Sequence, residues 1–230
     1  MNHPPIIDVI IPAYNEEKSI PKVIAEIPKF VRYIVVANNN SKDQTGKVAE
    51  AAGAKVVFEA QKGYGKACLT AMDWIKNQEI QPDIVVFLDG DYSDYPEEMR
   101  ELVQPILDEK ADMVIGSRAL GQRESGSMTF PQVFGNWLAT TMMKYMQGAK
   151  FSDLGPFRAI VWKKLLDLNM VDQNFGWTIE MQIKAHKAGL RYTEVPVNYR
   201  KRIGVSKVSG TVKGVIGAGY KIIFTIFKYW

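Results

Sequence analysis

Hydrophobic and polar positions in the first half of the chain switch repeatedly between two periods. Residues 6–11 are an apolar run broken only by Asp8 and stopped by Pro12, which predicts a buried strand. Ser19 and Pro21 then open a helix whose apolar face is Val23, Ile24 and Ile27. The alternation continues with a strand over 33–36, a helix entered through the polar turn at Ser41 and closed at Gly53, and a strand over 55–58. A helix over 65–76, a strand over 84–88, a helix over 96–108 and a strand over 113–115 follow. Strands apolar throughout, each followed by a helix, predict an α/β fold with a mostly parallel central sheet flanked by helices on both faces.

After Leu120 the pattern changes. A polar loop over 121–129 precedes a helix over 131–147 rich in Trp, Met and Tyr. A loop over 153–158 leads into a short apolar segment over 159–162, then a helix over 177–187 closed by Gly189 and an alternating strand over 192–199. No linker or repeat interrupts this, so residues 1–210 read as one domain with halves at 1–120 and 121–210. Residues 211–230 read as a C-terminal amphipathic helix. Lys213, Lys221 and Lys228 fall near one helical face, and Val212, Val215, Ile216, Ile222, Ile223, Ile226, Phe227 and Trp230 give a broad apolar surface. Such a helix lies in a membrane interface, docks on its own domain or joins a second subunit in a homo-oligomer.

Composition narrows the field modestly. A net charge of +4 over 230 residues is too small to imply nucleic-acid binding. The basic residues crowd the last thirty positions, which asks for an anionic partner such as a diphosphate or a lipid headgroup. One cysteine, Cys68, excludes an internal disulfide framework. Residues 1–5 do not resemble a leader, and no run of about 18 apolar residues occurs to span a membrane. The expectation is a cytoplasmic protein, or a peripheral one at the cytoplasmic membrane face.

The candidate chemistry lies where parallel sheets bind ligands, at the carboxyl ends of strands. Five polar segments fall there: 13–16, 38–41, 59–66, 89–94 and 116–118. Asp89 and Asp91 stand two apart at a strand end, so both carboxylates project to one side, and Gly90 leaves room for a ligand. Hard oxygen ligands at this spacing suit Mg²⁺ or Mn²⁺. His3 and His186 share no zinc-ligand spacing with Cys68.

Residues 9–17, Val-Ile-Ile-Pro-Ala-Tyr-Asn-Glu-Glu, with Leu88-Asp89-Gly90-Asp91, resemble the inverting family 2 glycosyltransferases of GT-A (Rossmann-like) fold. Within that family the chain is most similar to the dolichyl-phosphate mannose synthase and polyprenyl-phosphate glycosyltransferase branch. Gly116-Ser117-Arg118, residues 155–159, and Arg202, Gly204, Ser206 and Lys207 extend the resemblance across most of the chain.

The resemblance implies metal-dependent transfer of a sugar from a nucleoside-diphosphate sugar, with residues 1–120 binding the donor and 121–210 the acceptor. Pro12, Ala13, Tyr14 and Glu16 become nucleoside contacts. The family's usual acidic pair in the second loop is replaced here by Asn38 and Asn39, followed by Asn40, which leaves the base open. Asp89, Gly90 and Asp91 become the metal and diphosphate turn, and Arg200, Arg202 and Lys207 resemble the family's basic loop. By their own chemistry, Lys62 or Lys66 in the motif 61–66, which enters a helix, and Arg118 at a strand end are further anion ligands. Asp153 is the first candidate base and Glu180 the second, unless a phosphate acceptor makes a base unnecessary. The resemblance and the basic tail favour a polyprenyl phosphate acceptor, and a small soluble acceptor competes with it. A nucleotidyltransferase or a non-catalytic nucleotide-sugar-binding protein is the alternative from another class, although residues 12–16 lack the glycine-rich loop of the former.

Overall fold

The computed structural model describes residues 4–204 and 212–230. Lys207 and the side chains of Val212, Lys213 and Val215 lie outside that description. Seven strands among the described residues form one sheet: β1 (Ile7–Ala13), β2 (Val31–Asn38), β3 (Lys55–Phe58), β4 (Ile84–Phe87), β5 (Met113–Ser117), β6 (Arg158–Val161) and β7 (Tyr192–Pro196). Their order is β3-β2-β1-β4-β6-β5-β7. All neighbours run parallel except β6, which is antiparallel to both β4 and β5.

The apolar runs explain the centre of this sheet. β1 and β4 are buried along almost their whole length, as strands covered on both faces must be. Asp8 sits inside β1 at no cost in unpaired charge, because Arg32 meets both its carboxylate oxygens at 3.0 and 2.6 Å.

Helices α1 (Ile20–Glu26), α2 (Thr45–Ala51), α3 (Tyr64–Lys76) and α4 (Met99–Leu107) connect the first five strands. Helix α5 (Phe130–Gln147) follows, then α6 (Trp162–Asp167), α7 (Trp177–Lys187) and α8 (Val212–Lys228). Two apolar cores lie on opposite faces of the sheet, one including Ala67, Cys68, Met143, Trp177 and Ile226, the other Ile20, Val23, Leu102 and Ile106.

Three local expectations change. Ser19 precedes α1 but its hydroxyl donates to Glu16 rather than capping an amide. The expected helix over 96–108 starts as a single tight turn at Pro96–Glu98. The strand expected over 192–199 stops at Pro196, and Tyr199 forms isolated bridges to Asp94 and Arg123 instead. The C-terminal segment is helical and lies against α5 and α7, burying Thr225 and Ile226.

Candidate active site

A cavity of about 410 Å³ opens at the carboxyl ends of the inner strands, within the ~300–1,000 Å³ range of small-molecule sites. The β1 exit gives it Pro12, Ala13, Tyr14 and Glu16, and the β4 exit gives it Asp89, Gly90 and Asp91. Asn39, Lys62, Gly63, Tyr64 and Arg202 also line it. Lys62 lies 4.5 Å from the centre of the Tyr14 ring and donates to its hydroxyl at 2.9 Å. That bond holds the Tyr14 phenol below its usual pKa.

The acidic turn is held from several directions. Asp91 Oδ1 accepts from the Ser93 amide at 2.9 Å, and its Oδ2 pairs with Arg202 at 2.8 Å. The Ile203 amide donates to the Asp91 carbonyl and the Arg200 amide to the Ser93 carbonyl, so residues 200–203 lie across the turn. Asp89 Oδ1 accepts from the Tyr64 hydroxyl at 3.1 Å. Asp94 is buried, and both its carboxylate oxygens are without a hydrogen-bond partner among the described residues. Burial, then the charges of Asp89 and Asp91, push Asp94 well above the usual carboxylate range.

Burial and the neighbouring Asp91 raise Asp89 to about 7. An unfolded aspartate ionises near pH ~4. Between those values the folded chain keeps a proton that the unfolded chain has lost, so this group makes stability fall as pH rises. Metal-free Asp89→Asn is therefore expected to be more stable than wild type at pH 8, by roughly 1–3 kcal/mol. At pH 4 the two should be nearly equal. Urea denaturation at both pH values in a chelator checks this, and equal stabilities at pH 8 would contradict it.

The second loop shows what asparagine does there. Asn39 Nδ2 donates to the Gln61 carbonyl at 2.7 Å while its Oδ1 accepts from the Gly63 amide at 2.8 Å. An aspartate could make only the second bond. Asn39 thus fastens the 61–63 turn to the cavity, whereas Asn38 is turned to the Ser41 amide and does not line it.

Several residues expected at the site have other partners. Arg118 and Asp153 are buried and face each other: Asp153 Oδ2 accepts from the Arg118 amide at 2.7 Å and Nε at 2.8 Å, and Oδ1 from the guanidinium at 2.7 Å. Burial opposes ionisation of Asp153, but Arg118 outweighs it and holds the carboxyl below its usual range. Neither side chain lines the cavity, and in this arrangement each is engaged by the other. Glu180 is buried at the start of α7, away from the cavity lining, accepting from the Val171 and Asp172 amides, Lys184 and Tyr229. Lys66 pairs with Glu59 at 3.5 Å. Arg200 pairs with Glu26 at 2.6 Å and stacks on Tyr92.

The cavity also takes Gln132 from α5 and Asn174 and Phe175 from the α6–α7 connection. Sequence patterning carries no signal for these three, because long-range packing brings them in. Of the two lysines in the motif 61–66, Lys62 lines the cavity and Lys66 does not.

Paired aspartates at an inner strand exit, over a ligand-sized cavity in a mostly parallel sheet, fit the GT-A glycosyltransferase class that the sequence resembles. The profile of Glycosyl transferase family 2 matches residues 8–168, and the chain belongs to that family. This removes the nucleotidyltransferase and non-catalytic alternatives. The chain is 35% identical over 213 residues to an uncharacterized glycosyltransferase of Mycobacterium bovis, covering 91% of this chain and 93% of that one. An undecaprenyl-phosphate mannosyltransferase of Micrococcus luteus is 28% identical over 218 residues, with 89% and 88% covered. The similarity thus runs to the polyprenyl-phosphate branch. A solved structure of glucosyl-3-phosphoglycerate synthase from Mycobacterium tuberculosis, in complex with Mn²⁺, uridine diphosphate and phosphoglyceric acid, shares the fold. It superposes with a TM-score of 0.76 at 22% identity, covering 98% of this chain and 78% of that one.

Proposed function

We propose that this enzyme transfers a hexose, with inversion, from a nucleoside-diphosphate sugar to the phosphate of a polyprenyl lipid. The observation that carries the reading is the cavity wall where Asp89 and Asp91 stand together, with Arg202 against Asp91. Burial, and then the neighbouring Asp91 carboxylate, leave Asp89 raised to about 7. A hard dication, Mg²⁺ or Mn²⁺, fits such surplus negative charge on carboxylate oxygens. Held by Asp89 and Asp91, it would supply Lewis-acid stabilisation to the departing nucleoside diphosphate. The chain's own groups do the rest. Tyr14 offers a flat face to the base, and Lys62 and Arg202 offer cations to the phosphates.

The acceptor reading follows from what the candidate bases are doing. A hydroxyl acceptor needs a base, and both Asp153 and Glu180 are fully engaged away from the cavity. A phosphate oxygen is already anionic and needs none. Helix α5, which gives Gln132 to the cavity, exposes Phe130, Phe134 and Trp137 along one side, with ring centres 6.2 and 5.7 Å apart. Helix α8 exposes Ile216, Tyr220, Phe224 and Phe227, with Trp230 just beyond it. Aromatic surfaces of this kind suit a bilayer interface holding a lipid acceptor. No helix among the described residues is long and apolar enough to cross a membrane. The Micrococcus luteus relative, by its name, acts on undecaprenyl phosphate.

A small phosphorylated acceptor is the second reading, supported by the phosphoglyceric acid in the structural neighbour. Supplying labelled UDP- and GDP-hexoses with Mn²⁺, and either undecaprenyl phosphate in liposomes or 3-phosphoglycerate, separates the two. Label is expected in the lipid extract. Label confined to a water-soluble product, or no transfer from any donor, would contradict the lipid reading.

A further inference from the structure

The connection at 171–176 is an irregular segment that supplies Asn174 and Phe175 to the cavity wall. Its inner side is fixed to the start of α3. The Gly65 amide donates to the Asn174 carbonyl at 3.3 Å, the Lys66 amide to the Gln173 carbonyl at 2.9 Å, and Gln61 Nε2 to Gln173 Oε1 at 2.8 Å. The approach is so close that a Cβ at Gly63 would meet the Gln173 carbonyl at 2.1 Å, and one at Gly65 the Asp172 carbonyl at 2.0 Å. These glycines of the 61–66 motif are therefore required by backbone packing against the cavity wall.

The outer side of the same segment is fixed to the C-terminal helix. Asp172 Oδ1 accepts from the Asn174 and Gly176 amides at 2.7 and 3.1 Å, while its Oδ2 pairs with Lys221 at 2.9 Å. Glu180 accepts from the Val171 and Asp172 amides at 3.1 and 2.7 Å and from the Tyr229 hydroxyl at 2.7 Å. Thr225, buried on α8, packs so closely on Gly176 that a Cβ there would lie 2.7 Å from its hydroxyl. Two carboxylates that accept from this turn's amides are thus each gripped from the C-terminal segment, Glu180 pairing with Lys184 as well.

We infer that Lys221 and Tyr229 are positioning residues for the donor cavity: through Asp172 and Glu180 they hold the Asn174–Phe175 wall in place, so that docking of the C-terminal helix governs nucleotide affinity. This rests on the proposed assignment of the cavity to a nucleoside diphosphate. The helix has two faces with separate tasks. Its exposed aromatic face is available to a surface outside the molecule, and its Lys221–Thr225–Tyr229 edge grips the wall.

The test uses the full-length chain with Lys221→Ala, Lys221→Arg and Tyr229→Phe. Amide hydrogen exchange is read over residues 171–176 and 65–66, and Mn²⁺-dependent binding of UDP and of GDP by calorimetry. In Lys221→Ala, exchange at 171–176 is expected to speed up about tenfold while β1 and β4 stay protected, and nucleotide affinity to fall about tenfold, the scale of one lost charge-assisted bond. Lys221→Arg should restore both, and Tyr229→Phe should show the same direction without altering any charge. Unchanged exchange in both Lys221→Ala and Tyr229→Phe would overturn the inference. So would faster exchange with unchanged nucleotide affinity. If wild type binds neither UDP nor GDP, the donor-site assignment is what fails, and the claim on affinity falls with it. Exchange then still decides whether α8 holds the wall.

Discussion

Replacing Asp91 by Ala is expected to lower transfer activity by about 10³-fold, the scale found when a group that stabilises developing negative charge is removed. Asp91 stands on the cavity wall with one carboxylate oxygen fixed by Ser93 and the other directed at Arg202. Removing it takes away half of the paired carboxylates and leaves Arg202 without its counter-charge beside the proposed diphosphate site. The loss should appear in kcat more than in KM, because charge on the leaving group grows towards the transition state. Initial rates with the donor found by the lipid-transfer assay check this. A variant with more than a tenth of wild-type kcat would place the chemistry elsewhere.

Breaking the Arg118–Asp153 pair is expected to have the largest effect on stability. Removing one partner of a buried pair leaves the other charge uncompensated and costs about 3–5 kcal/mol. Arg118→Ala strands a carboxylate buried behind the cavity, and Asp153→Ala strands a guanidinium. For a chain of this size such a loss lowers Tm by about 10 °C. The double variant Arg118→Met with Asp153→Leu should recover most of it, since a well-packed apolar pair replaces an ion pair at little cost. Arg118 holds Asp153 below the usual carboxylate range. The pair's contribution is therefore fully present above about pH 4, the unfolded value, and is lost as pH falls through the depressed folded value. Thermal melts of the three variants from pH 3 to 8 test this. Single variants that melt with wild type would show that the pair is not a structural element.

These two cases mark where the sequence is readable. Asp91 is legible because an apolar run delivers it to a strand end, and a period of two sets it on the same side as Asp89. The pairing of Arg118 with Asp153 is not, because thirty-five positions separate them and each alone resembles a free functional group. The same limit applies to β6. The short apolar segment near 159–162 carries no information on direction, and only its pairing between β4 and β5 makes it antiparallel. Glu180 shows the limit within a helix. Its partner four residues on, Lys184, is visible in the sequence, but the amides of 171 and 172 and the Tyr229 hydroxyl are not. Asn39 is an intermediate case: the departure from an acidic residue is plain, and its reason appears only when the Gln61 carbonyl and Gly63 amide are seen on either side of the amide.

The engaged state of Asp153 and Glu180 links structure to acceptor chemistry. Both candidate bases hold the loops behind the cavity, and the proposed phosphate acceptor is a nucleophile that needs no base. On that proposal the exposed rings on α5 and α8 would face the bilayer surface at which a lipid phosphate is presented.

The most direct measurement is calorimetric titration of UDP and GDP into the wild-type chain and Asp91→Ala, each with Mn²⁺ and with a chelator. One nucleotide is expected to bind wild type at least tenfold more tightly with Mn²⁺ than without, and Asp91→Ala should lose that difference. Metal-independent binding, or an Asp91→Ala variant that keeps the full Mn²⁺ response, would contradict a metal-held donor site at Asp89 and Asp91.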